Sequence, residues 1–161
     1  TALLAHGIAL MGQQRYQRPT DPEHVLALAV YHDAQEVLTG DLPTPVKYHS
    51  PELQNAYHRM EKEAAARMVA MAPADLQAAY EPYFTPGQDY AHQIVKAADR
   101  ISAYIKCVEE RQAGNREFLA AESSIRASIE AIPWPEVQDF FRECVPSFGL
   151  SLDEMSGEEK A

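Results

Sequence analysis

Apolar residues recur at helical spacing along nearly the whole chain, and alternating strand patterns are hard to find. "ALLAHGIALMGQQ" predicts a first helix over about residues 2–14. In "PTDPEHVLALAVYHDAQEVL", Asp21 suits an N-cap, Pro22 the first helical position and Glu23 the first turn. The pattern carries this second helix to Thr39-Gly40, where glycine can end it. "DLPTPVKYHSP" then reads as a loop of fixed, extended backbone, because proline holds its own φ and restricts the residue before it.

A longer helix, "ELQNAYHRMEKEAAARMVAMA", takes Ser50 as its cap and Pro51 as its first residue. "PADLQAAYEPYF" gives a short helix, with Tyr80, Tyr83 and Phe84 as core aromatics, and "TPGQD" breaks the chain. "YAHQIVKAADRISAYIKCVEERQAG" is strongly amphipathic and closes at Gly114. Two helical stretches follow around 116–131 and 135–145, and the acidic tail "SLDEMSGEEKA" is expected to fray. No internal repeat or long linker is visible. The expectation is one all-α domain over residues 1–161, a bundle of about six to seven helices. "TALLAHGIALM" reads as the middle of a helix, so an upstream segment is expected before Thr1.

Composition narrows the classes. The 161 residues, 46% of them hydrophobic, suit a globular chain with a sizeable core. No apolar run approaches the roughly 20 residues that cross a bilayer, and no basic stretch precedes a cleavable apolar one. Cys107 and Cys144 form no CxxC and are expected to be buried free thiols, compatible with a reducing cytoplasm. A net charge of −10 argues against general nucleic-acid binding. It also makes an anionic substrate depend on a metal ion or a local Lys/Arg cluster.

The charges crowd into "YHDAQEVLTGDLPTPVKY", directly after the apolar "HVLALAV". On a helix, His32 and Glu36 are four residues apart and Asp33 and Glu36 three apart, so all reach one patch. His32 and Asp33 project about 100° apart, yet both can reach an ion beside the helix edge. Imidazole with carboxylate suits Mn, Co, Fe or Zn, but two donors alone hold such an ion weakly. Asp99 offers a third, interrupting the apolar face of Ile94, Val95, Ala98, Ile101 and Ser102. An acid buried there is costly unless it is paired or binds a metal. A salt bridge to Arg100 explains it equally well, and spacing alone leaves both readings open. Glu36 in turn reads as a proton-transfer acid or as a solvated helix residue. Asp41 reads as a substrate contact or as an acid bonding the amides of a tight connector.

A histidine-aspartate dipeptide is common by chance. "HDAQE" followed by "GD", a rigid proline loop and an aspartate in a second apolar helix is far more specific. "YHDAQEVLTGDLPTPVKY", with "KAAD", "AYIKCVEERQAGN" and "VPSFGLSLDE" downstream, resembles the bacterial 5′-deoxynucleotidases of the HD-domain superfamily over essentially the whole chain. The resemblance implies an HD-domain helical bundle around one divalent ion, Co, Mn or a similar first-row ion. His32, Asp33 and Asp99 would be its ligands, with a further histidine upstream of Thr1. His6 falls about two turns beyond that position and is not counted. An arginine-tryptophan pair that orients the phosphate would also lie upstream. Glu36 is implied to act with the nucleophilic water. Asp41, Leu42, Pro43 and Thr44, together with Asp33 and Asp99, are implied to bind substrate.

The implied reaction is hydrolysis of a deoxyribonucleoside 5′-monophosphate to nucleoside and phosphate, by a cytoplasmic homodimer. No nucleic-acid polymer or membrane partner is expected. One alternative keeps the metal site but takes a triphosphate, cyclic or signalling nucleotide. Another is a non-catalytic helical binding protein. Lys47 reads as solvated, and His24, His49, His58 and His92 lack metal-ligand spacing with one another.

Overall fold

Local capping chemistry sets where the main helices begin. Asp21 Oδ1 accepts the Glu23 amide at 3.0 Å, Ser50 Oγ the Leu53 amide at 3.2 Å, and Asp89 Oδ1 the His92 amide at 3.1 Å. The structure, a computed structural model, describes residues 1–43, 46 and 49–156, except the side chains of Leu152 and Ser156. Thr44, one of the expected substrate contacts, lies outside the described residues.

Among the described residues every regular element is a helix. They are α1 (Ala2–Tyr16), α2 (Pro22–Tyr31), α3 (Glu36–Thr39), α4 (Pro51–Met71), α5 (Gln77–Phe84), α6 (Tyr90–Gln112), α7 (Leu119–Glu130) and α8 (Pro135–Glu143). A 3-10 turn at Val145–Gly149 and a short α9 (Leu152–Ser156) follow. No helix among them is long and apolar enough to cross a membrane. The chain divides into two compact units, Thr1–Leu26 with Asp89–Ala161, and Ala27–Gln88.

In the first unit α6 is the spine. Its buried Ile94, Ala98, Ile101 and Ile105 recur every three or four residues, with Val95 beside them, and the helix packs against α1 and α7. Two glycines let α1 approach its neighbours. A Cβ on Gly7 would lie 2.8 Å from Phe140 Cε2, and one on Gly12 2.7 Å from the Tyr90 hydroxyl. Beside Gly12 sits fully buried Glu136, which accepts hydrogen bonds from Arg18 Nε at 2.9 Å and from the Tyr90 hydroxyl. The Arg18 guanidinium lies 5.5 Å and 5.0 Å from the Tyr90 and Trp134 ring centroids. A buried carboxylate needs such partners. Burial, then the bond to Glu136, raises the Tyr90 phenol well above its ordinary pKa. Cys107 is buried as expected, whereas Cys144 is only half-buried.

In the second unit α4 packs against α3 and α5. The Tyr31 ring meets those of Tyr80, Tyr83 and Phe84 at centroid distances of 6.2, 5.5 and 5.3 Å. These aromatics therefore form a half-buried cluster around the last residue of α2.

One boundary departs from expectation. The second helix stops at Tyr31, not at Thr39-Gly40, and a turn carries His32, Asp33, Ala34 and Gln35 before α3 resumes at Glu36. A continuing helix would give the Ala29 carbonyl to the Asp33 amide. Here that carbonyl bonds His32 Nδ1 at 2.8 Å instead. The amides of Ala34 and Glu36 reach back three residues, to Tyr31 at 3.0 Å and Asp33 at 2.9 Å, tightening the turn. Gly40 then ends α3 with φ 70°, and Gly114 follows α6 with φ 90°.

Candidate metal and substrate site

The turn after α2 sets the chemistry of His32. The Ala29 carbonyl can only accept a hydrogen bond, so His32 Nδ1 carries the proton and Nε2 holds the lone pair in the neutral ring. That Nε2 lies 2.8 Å from Asp33 Oδ2. An imidazole nitrogen and a carboxylate oxygen this close together are two donors that one cation can share. Imidazole ligands commonly give their other N–H to a backbone carbonyl, which fixes the tautomer and orients the ring. The donor chemistry of this turn therefore fits a divalent cation. Half of the Asp33 side chain stays exposed, so it is open to a ligand.

Glu36 begins α3 and is half-buried, with its amide on the Asp33 carbonyl. It follows the histidine through a tight turn and not along one helical face, which corrects the expected geometry while keeping the residues close in sequence. Past Gly40, Asp41 and Pro43 are exposed and Leu42 is half-buried. In the other unit, Asp99 on α6 is exposed, not buried among the apolar residues as expected. The buried positions Ile94, Ala98, Ile101 and Ile105 define the inward face, and the helical repeat turns Asp99 about 100° away from Ala98. The Thr1 hydroxyl donates to Asp99 Oδ1 at 3.5 Å.

Sequence reasoning missed Tyr57. Its ring is 2% exposed on α4, and its hydroxyl donates to the Gly40 carbonyl at 3.0 Å. A contact across 17 residues between a helix and a loop leaves no periodic signal. His58 and His92 each take a carboxylate one turn away, Glu61 at 2.9 Å and Asp89 at 2.8 Å.

The fold matches an HD-domain phosphohydrolase from Listeria innocua, with a TM-score of 0.75 over 96% of this chain and 78% of that one, at 21% identity. At that identity the match defines the fold class, an all-helical one, and nothing finer. Curated relatives narrow it further. The 5′-deoxynucleotidase of Erwinia tasmaniensis is 43% identical over 159 residues, covering 98% of this chain and 80% of that protein. A 5′-deoxynucleotidase of Vibrio parahaemolyticus is 41% identical over 157 residues, covering 96% and 81%. The family described as 5′-deoxynucleotidase YfbR-like matches residues 1–148, and the chain belongs to it.

Proposed function

We propose that this 5′-deoxynucleotidase removes phosphate from deoxyribonucleoside 5′-monophosphates, with one divalent ion of the Mn or Co type held by His32, Asp33 and Asp99. Together these residues offer one imidazole nitrogen and two carboxylates, a donor set able to hold a metal ion. The observation that carries the reading is the fixed His32 tautomer, which leaves the Nε2 lone pair on the nitrogen 2.8 Å from Asp33 Oδ2. Phosphate monoesters hydrolyse very slowly in water, and this chain carries a net charge of −10, so the substrate anion needs a cation. Such an ion, when bound, screens the phosphate and acidifies a water.

The side chains do the rest. Glu36, tied to Asp33 through the turn, takes the proton from the attacking water. Asp33 and Asp99 border the substrate as well as the ion. Asp41 repels phosphate, so its carboxylate serves by accepting a hydrogen bond from the sugar or base. Leu42, Pro43 and Thr44 supply a wall in which proline lowers the ordering cost of binding. The resemblance to the 5′-deoxynucleotidases supports a homodimer, which light scattering tests.

Metal analysis with phosphate-release assays over a nucleotide panel tests the function. Monophosphate turnover that disappears in Asp33→Ala is expected. Release from triphosphates in place of monophosphates would overturn the substrate class.

A further inference from the structure

We propose that Tyr57 is a positioning residue that sets the direction of Asp41 by holding the Gly40 peptide; this rests on the reading of Asp41 as a substrate contact. α3 has four residues, too few to hold its own geometry. The segment is pinned instead at Gly40. Its φ of 70° and ψ of 159° belong to a region open essentially only to glycine. A Cβ there would meet nothing within 4 Å, so the glycine serves the backbone angle and not a close approach.

Both sides of Gly40 are tied. Its amide bonds the Glu36 carbonyl at 2.8 Å, and its carbonyl accepts from the hydroxyls of Tyr57 and Thr39, each at 3.0 Å. The two hydroxyls differ in kind. Thr39 moves with the loop, whereas Tyr57 is a buried ring on the 21-residue α4, a fixed point outside it. The Gly40 carbonyl and the Asp41 amide share one rigid plane, so fixing the oxygen fixes where Asp41 leaves the turn. The same clamp ties Glu36 to Asp41 through Gly40.

Tyr57→Phe keeps the ring and removes the donor. The full chain, loaded with metal, is assayed on a deoxyribonucleoside 5′-monophosphate as Tyr57→Phe, Asp41→Ala and the double variant. Amide exchange is followed over residues 36–43. Tyr57→Phe should raise KM about three- to tenfold, the scale of one hydrogen bond, with kcat within about twofold. Exchange in 36–43 should quicken while the unfolding midpoint holds, and Tyr57→Phe should add little to Asp41→Ala. A raised KM in Asp41→Ala with none in Tyr57→Phe, or full multiplication of the two effects, would overturn the role of Tyr57 alone. An unchanged KM in Asp41→Ala would remove the reading of Asp41 and the proposal with it. Unchanged exchange in Tyr57→Phe would show that no clamp exists.

Discussion

His32 Nδ1 donates to the Ala29 carbonyl at 2.8 Å, and this one bond both ends α2 and chooses which ring nitrogen faces Asp33. A helix end and a ring tautomer are thus set by the same contact. His32→Ala should therefore lose metal and turnover together. A metal ligand is worth more than the residues that orient it, which alone cost about 10- to 100-fold, so a fall of at least about 100-fold is expected. Metal content after dialysis and phosphate release measure the two losses. Retained metal in His32→Ala would remove the residue from the ligand set.

Glu36 separates from the metal question because it is assigned to the proton and not to the ion. Glu36→Gln keeps the size and the start of α3 but cannot take a proton. Phosphate release should drop by about 10²- to 10⁴-fold while bound metal and KM stay close to wild type. Loss of metal in this variant would make Glu36 a ligand instead.

Much of this was readable along the chain, and the physics explains which parts. The caps at Asp21 and Ser50 and the stop at Gly114 depend on a few adjacent residues, so sequence alone places them, whereas Gly40 ends α3 and not the second helix it was expected to end. The end of α2 was missed because the apolar period runs on through "AVYHDAQEVL", while a side chain takes the carbonyl the helix needed. Asp99 was recognised as a candidate ligand, but its exposure follows from which residues of α6 face the core, and that is decided by tertiary packing. The Tyr57 bond to Gly40 is tertiary in the same way.

Tyr31 anchors the turn from its other side. Its ring contacts Tyr80, Tyr83 and Phe84 on α5, and the next residue is His32. Tyr31→Ala removes these ring contacts and should destabilise by about 2–3 kcal/mol, below a full core truncation because the cluster is only half-buried. Turnover should fall with it, as the end of α2 loosens. Tyr31→Phe keeps the rings and should stay near wild type in both. Chemical denaturation and phosphate release check the pair, and equal loss in Tyr31→Phe would shift the role to the hydroxyl.

Acid should release a clasp between α1 and α8. Arg15 bonds Glu143 at 2.8 and 3.0 Å and Asp139 at 3.1 Å, while the Tyr16 hydroxyl donates to Asp139 at 2.6 Å. The Tyr16 hydroxyl, then Arg142 and Arg15, hold the Asp139 carboxyl below its usual range. Arg15, then Arg142, do the same for Glu143. A carboxylate with a lowered folded pKa contributes stability that is present above the unfolded value and is lost as pH falls through the folded one. The clasp is thus intact at neutral pH and fades below about pH 4. Arg15→Gln should lower the unfolding midpoint by only a few degrees at pH 7, because Arg15 and Glu143 are solvent-accessible and screened. That gap should narrow as pH drops and also in high salt. Thermal unfolding of both proteins across the acid range measures it, and a gap that widens in acid would reverse the assignment.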